Sequence, residues 1–260
     1  MNTVFTRLYS DYIMPSRLGK YEDFVGRALD AGYRHTSLRS FQAALRRGQS
    51  LGEKIILHRH DIDSDIRTTR KLFEIEKKYN IKSSYYFRIS TLDFDLMREI
   101  EAFGSEASYH YEEIATFAKR NHIKDPAEIQ KRLPAIRDEF LVNFKRVEER
   151  LGKKMTTVAS HGDFANRRLK LSNTAILNDQ ELRERCGIEC ESYDPALLGS
   201  FDVYMADHRP PPQYRYPHSL FDAIGRYNKI CFLTHPGNWE TNWIENTKNN
   251  FFRVYEGLKW

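Results

Sequence analysis

Apolar and polar positions along the chain follow two rhythms. Short runs rich in Ile, Val, Tyr, Phe and Thr recur: KIILHRH (54–60), IKSSYYFRI (81–89), SEASYHY (105–111), TTVASH (156–161), IECESY (188–193), FDVYMAD (201–207) and NKICFLTH (228–235). Several are nearly continuous in apolar residues, as parallel strands covered on both faces are. Between them lie segments with helical spacing. DIRTTRKLFEIEKKY sets Ile66, Leu72, Phe73 and Ile75 toward one side, and PAEIQKRLPAIRDEFLVNFKRVEERLG is a long helical pattern, bent near Pro134 and stopped by Gly152. Strand–helix alternation predicts a parallel α/β fold, open or closed into a barrel, and seven candidate strands suit a barrel.

No low-complexity linker or internal repeat divides the chain, and the PPP at 210–212 marks a rigid loop. Residues 1–53, with a helical pattern at KYEDFVGRALDAG, are expected to pack on the side of a barrel domain spanning 54–260. A content of 40% hydrophobic and 30% charged residues allows a core and excludes wholesale disorder. The net charge of +5 favours anionic partners. The basic residues are dispersed, however, in short runs such as IRTTRK and NRRLK, with no Lys/Arg stripe interleaved with aromatics, which argues against nucleic acid. Cys186, Cys190 and Cys231 are too few for a disulfide framework and read as reduced thiols. No apolar segment reaches signal-peptide or membrane-spanning length, so the expectation is a soluble cytoplasmic protein.

Candidate chemistry sits where the apolar runs end. In parallel α/β folds the carboxyl ends of strands converge on one face, where active sites form. Five such ends carry ionisable groups: Asp61 with Asp63, then His110, His161, Asp207 and His235. Imidazole and carboxylate together suit a divalent ion of the zinc type with a position left for water, which points to metal-assisted hydrolysis. Asp61 and Asp63 alternate at a twisted strand end and supply a general base and a ligand from three residues of chain. His235, on a distant strand, is placed to protonate a leaving group. Simpler roles suit other residues: Asp65 reads as a helix N-cap, His58 as a buried strand histidine, and His35, His122, His208 and His218 as surface or structural. His110 also admits the reading of a satisfied core histidine, and the His161–Gly162 pair that of an ordinary turn.

The order of these motifs resembles the polysaccharide deacetylases of carbohydrate esterase family 4, in particular a divergent branch associated with surface-polysaccharide and O-antigen biosynthesis. The resemblance is carried by LHRHDIDSD (57–65), IKSSYYFRIS (81–90), EASYHYEEI (106–114), VASHGDF (158–164), VYMADHR (203–209) and FLTHPGNW (232–239). It implies a distorted (β/α)7 barrel in which Asp61 matches the catalytic base, Asp63 the metal-binding aspartate, His110 the first histidine of a His-x-x-x-His metal motif and His235 the general acid. One position departs from the pattern: Ile114 stands where the second histidine belongs. His161, ending the next strand, is the first choice for the replacement ligand, ahead of Glu112 and Glu113.

Arg59, Asp207, Arg209 and Trp239 are the expected substrate-binding residues, with Asp207 also placed as an acid–base partner. Arg59 is also placed to orient Asp61 by charge-assisted hydrogen bonding, and Trp239 suits sugar stacking and core packing alike. The implied activity is N-deacetylation of an acetamido sugar of a surface polysaccharide or its precursor, with one divalent ion, zinc by preference. Two alternatives use the same sequence differently. One is hydrolysis of a small-molecule amide or an O-acetyl ester. The other is a non-catalytic glycan-binding or scaffold module, with Ile114 as the mark of lost metal binding.

Overall fold

All seven apolar runs form strands, and an eighth, shorter one joins them. The computed structural model describes residues 3–207 and 219–260. Its strands are β1 Arg34–Thr36, β2 Ile55–Ile62, β3 Ser84–Phe87, β4 Glu106–Tyr111, β5 Thr157–Ser160, β6 Cys190–Glu191, β7 Val203–Ala206 and β8 Lys229–Thr234. Every ladder is parallel. The sheet order is β6-β5-β4-β3-β2-β8-β7, with β1 beside β2.

β2 is the centre of this arrangement, and all eight of its residues are buried. One edge pairs with β8 over Ile55–His60. The other edge is shared: Ile55–Leu57 pair with β1 and Arg59–Ile62 with β3. β3 is too short to cover that edge alone, and the strand from the N-terminal segment fills the remainder. Ladder hydrogen bonds that a buried edge must satisfy are thereby made.

The two faces of β2 have different fates, as alternation along a strand requires. Ile56 lies in the outer core with Tyr21, Phe24 and Leu72 of the flanking helices. Leu57 lies in an inner core with Tyr86, Ala159, Cys190 and Cys231, contributed by five different strands. Side chains from β2, β3, β5, β6 and β8 meet in one cluster only if the sheet curls around them. The curl is a half-barrel. Among the described residues no ladder joins β6 to β7, so the sheet is open and curled, an α/β arrangement consistent with the expected distorted (β/α) barrel. β6 contributes only Cys190 and Glu191 and pairs with β5 alone.

Helices cover the convex face. Ile66–Lys78 starts at Asp65, whose carboxylate accepts from the Thr68 N–H at 3.2 Å, the N-cap role read from the sequence. Pro126–Leu151 runs continuously through Pro134 and stops at Gly152, whose φ of 73° suits glycine. The three cysteines are buried and unbridged. Among the described residues no helix is long and apolar enough to cross a membrane.

Candidate active site

The inward face of β2 carries Leu57, Arg59 and Asp61 in succession. The Arg59 guanidinium is buried inside the curl, over the Tyr193 ring at 4.3 Å. A buried cation needs a partner, and Asp61 provides it: Nε donates to Oδ1 and Nη2 to Oδ2, both at 2.7 Å. Burial alone would raise the Asp61 pKa, but Arg59 and then His110 outweigh it and hold the carboxyl below its ordinary value. Asp61 is an ionised carboxylate of fixed orientation.

Asp63 lies just past the strand, in a turn closed by its N–H to the Asp61 carbonyl at 3.0 Å. Its Oδ1 stands 3.3 Å from His110 Nε2 and 3.4 Å from His161 Nε2. Neither contact is aligned as a hydrogen bond, and Oδ1 is a buried oxygen with no donor. His110 Nδ1 lies 3.0 Å from the Ala159 carbonyl, an acceptor only, so Nδ1 donates there and Nε2 is the ring nitrogen turned toward Asp63. His161 Nδ1 faces Glu112 Oε2 at 3.2 Å, also out of line for a hydrogen bond. Glu112 is clamped by Arg88 through Nε at 3.0 Å and Nη2 at 2.6 Å.

These residues fit a divalent metal ion. One carboxylate oxygen and two imidazole nitrogens make a three-ligand set, and ligands about 2.1 Å from a tetrahedral zinc stand roughly 3.4 Å apart. The orphaned Oδ1 stands at about that separation from each of the two nitrogens and lacks the alignment a hydrogen bond needs. Electrostatics agree: burial would lower the His161 pKa, yet Asp63 outweighs it and pushes it up to about 9.

His235 completes the group from the end of β8. Its Nδ1 lies 2.7 Å from Asp207 Oδ1, and its N–H donates to Oδ2 at 2.8 Å. Trp239 Nε1 donates to the same Oδ2 at 2.9 Å. Burial would lower the His235 pKa, but the Asp207 carboxylate pushes it up to about 9, so the ring is an imidazolium at neutral pH. Its Nε2 lies 4.0 Å from Asp63 Oδ2.

Strand ends thus bring Asp61, Asp63, His110, His161 and His235 together. The residues expected to touch substrate fare differently. Arg59 is buried against Asp61, Asp207 is occupied with His235 and Trp239, and Trp239 packs with Tyr21 and Phe232 without an exposed face. Arg59 and Asp207 make the contacts expected of an orienting cation and an acid–base partner, and Trp239 is packed as core. Arg209 lies outside the described residues. Ile114 is in the hydrophobic core, so the position of the missing histidine does not face the site. Arg88 escaped the sequence reading. The only signal was a basic residue ending the run IKSSYYF, and its value depends on a Glu112 that lies far along the chain.

Among the described residues, two groups bring three possible ligand atoms within 4.8 Å of one another, and neither is the Asp63, His110 and His161 set. His58, His60 and Glu76 are on the convex side of β2. There Glu76 Oε1 accepts from Tyr21 at 2.6 Å and His60 at 2.7 Å, and Oε2 from Ser83 and from Tyr85 at 2.5 Å. His60 Nδ1 pairs with Thr234 at 2.5 Å, and His58 with Tyr21 at 3.1 Å and His35 at 2.8 Å. Each ligand atom is engaged, so hydrogen bonding accounts for this cluster in full. Glu112, His161 and Asp163 form the second group. Asp163 is already committed to the Ala165 N–H at 2.8 Å and Lys119 at 2.9 Å.

No protein-family model and no curated protein matches the sequence. Among solved structures, a Streptococcus pyogenes deacetylase, PplD, in complex with acetate is similar with a TM-score of 0.40 and 15% identity, over 58% of this chain and 66% of that one. The match spans just under two thirds of that deacetylase. Likeness that low leaves the chemistry to this chain's own side chains.

Proposed function

We propose that this protein hydrolyses the N-acetyl group of an acetamido sugar, using one divalent ion, zinc by ligand type, held by Asp63, His110 and His161. The observation that carries the proposal is Asp63 Oδ1, out of solvent, without a donor, and 3.3 and 3.4 Å from two imidazole nitrogens. The sugar comes from a motif order that resembles that of family 4 carbohydrate esterases, and the amide bond from the acid–base pair. When bound, a divalent ion supplies Lewis-acid polarisation of a carbonyl and acidification of a water.

The chain's own groups handle the protons. Asp61 takes a proton from the attacking water, oriented by Arg59 through both of its oxygens. His235 gives its Nε2 proton to the departing nitrogen as the C–N bond breaks, leaving acetate and a free amine. Asp207 keeps Nδ1 protonated and the ring in place. Neighbours push Asp61 down and His235 up, so base and acid coexist in their working forms near neutral pH.

A degenerate binding module is the weaker alternative, because His161 stands beside Asp63 although position 114 is isoleucine. The test is acetate release from defined N-acetylated and O-acetylated sugars by purified protein, with elemental analysis alongside. Hydrolysis of the N-acetylated set with one zinc per chain supports the proposal, and metal-free, inactive protein ends it. Preference for the O-acetylated set moves the same machinery to ester chemistry.

A further inference from the structure

Among the described residues, twelve of the fifteen exposed large hydrophobic side chains lie on Thr3–Ile13 and on the C-terminal helix Trp243–Lys259. The concentration has a structural cause. The two segments meet through polar groups: Asn246 Nδ2 donates to the Asp11 carbonyl at 2.8 Å, and Asn250 Nδ2 to the Asp11 carboxylate at 2.9 Å. Spending the polar face on this seam turns the apolar face outward. Ile244, Phe251, Tyr255 and Leu258 recur at the spacing of one helical stripe, with Phe251 76% and Leu258 83% exposed.

The stripe is not a frayed end. Asn242 Nδ2 donates to Asp65 at 2.8 Å where the helix begins. Where it ends, Trp260 is buried with its Nε1 donating to the Ala118 carbonyl at 3.0 Å, and Lys119 pairs with Glu256 at 2.9 Å. Both ends are pinned, so the helix is held as a platform with its apolar side in water. Contiguous apolar patches of this kind mark interaction sites.

We infer that this face is the interface of a two-fold homodimer. Seven aromatic side chains on the two segments are between 39% and 76% exposed. At roughly 150–250 Å² per aromatic when wholly buried, they leave roughly 600–1,000 Å² to cover, close to the roughly 800 Å² per partner of a standard interface. Exposed aromatics with few charges are the composition of an interface centre. Charge also favours a second copy over an anionic membrane. Trp243–Lys259 carries Lys248, Arg253 and Lys259 against Glu245 and Glu256, and Thr3–Ile13 carries Arg7 against Asp11. A face so nearly neutral does not repel its twin, and it lacks the basic stripe of membrane-surface helices. The inference does not depend on the proposed activity.

Sedimentation velocity and light scattering on the full chain across a concentration series test it. The expected result is a species of twice 30.8 kDa that Phe251→Glu with Leu258→Glu converts to monomer, with unchanged circular dichroism. Val142→Glu, at an exposed apolar residue elsewhere, should leave the dimer intact. A monomer at every concentration overturns the inference, as does a dimer indifferent to the paired substitution. Co-sedimentation of a monomeric protein with phosphatidylglycerol vesicles overturns it in favour of a lipid surface.

Discussion

Arg59 and Asp61 lie two residues apart on one strand and are joined by two 2.7 Å hydrogen bonds inside the curl of the sheet. The ion pair fixes the carboxylate and lowers its basicity together, and it makes Asp61 structural as well as chemical.

Removing that carboxylate should therefore have two effects. Asp61→Asn is expected to lower acetate release by about 10²–10⁴-fold, the usual weight of a general base. It also strands a buried guanidinium, at a cost of roughly 3–5 kcal/mol, or on the order of 10 °C in Tm. Arg59→Met combined with Asp61→Asn should recover much of the stability and none of the activity. Thermal melts and acetate assays on both variants check this, and full activity in Asp61→Asn removes it as base.

The metal site and the convex cluster are separable by elemental analysis. His161→Ala and Asp63→Ala should lose bound zinc, since each removes one of the three proposed ligands. His58→Asn should retain it, because His58 serves a hydrogen-bonded network on the opposite face of β2. Zinc lost from His58→Asn and kept in His161→Ala would move the metal to the other cluster.

Glu76 accepts four hydrogen bonds in that network. Glu76→Gln replaces one acceptor oxygen by a donor facing two donors. A loss of about 3 kcal/mol or more is expected, with zinc content unaffected. Urea unfolding measures it, and a neutral result would show that the network readily repacks.

Glu113 contributes a pH dependence to the stability, as the buried Glu191 does in the same window. Burial pushes its pKa up to about 7 despite the Tyr109 hydroxyl and Asn143 Nδ2, the latter at 3.0 Å. An unfolded glutamate ionises near 4.5, so between there and pH 7 the folded state binds the extra proton. Stability falls as pH rises through that window and stays lower above it, by on the order of 2–3 kcal/mol. Glu113→Gln should flatten the trend: its Tm relative to the parent should climb from pH 4.5 to 7 and then level. A constant difference across the window would discharge Glu113 from this role.

Much of this fold is legible along the chain because strands covered on both faces produce apolar runs: β3 to β8 lie within the runs quoted from the sequence, and β2 extends past its own by Asp61 and Ile62. β1 was not legible. Arg34–Thr36 is three residues with no apolar member, and it is a strand only because β3 leaves half of one β2 edge unpaired. The charged strand ends were visible as types and positions, since a parallel sheet gathers its carboxyl ends on one face.

Which of those groups point at one another was decided elsewhere. Strand alternation separates Arg59 and Asp61 from His58 and His60 by sequence alone, but not which face is concave. Curl of the sheet placed the first pair inside, and brought His161 of a later strand to Asp63 while Ile114 turned into the core. The same tertiary packing engaged Asp207 and Trp239 with His235 and left the terminal helices with their apolar side outward. Residue types and periodicity are local properties that the chain writes directly. Contact between distant side chains depends on how layers close over a core, and only the assembled structure fixes that.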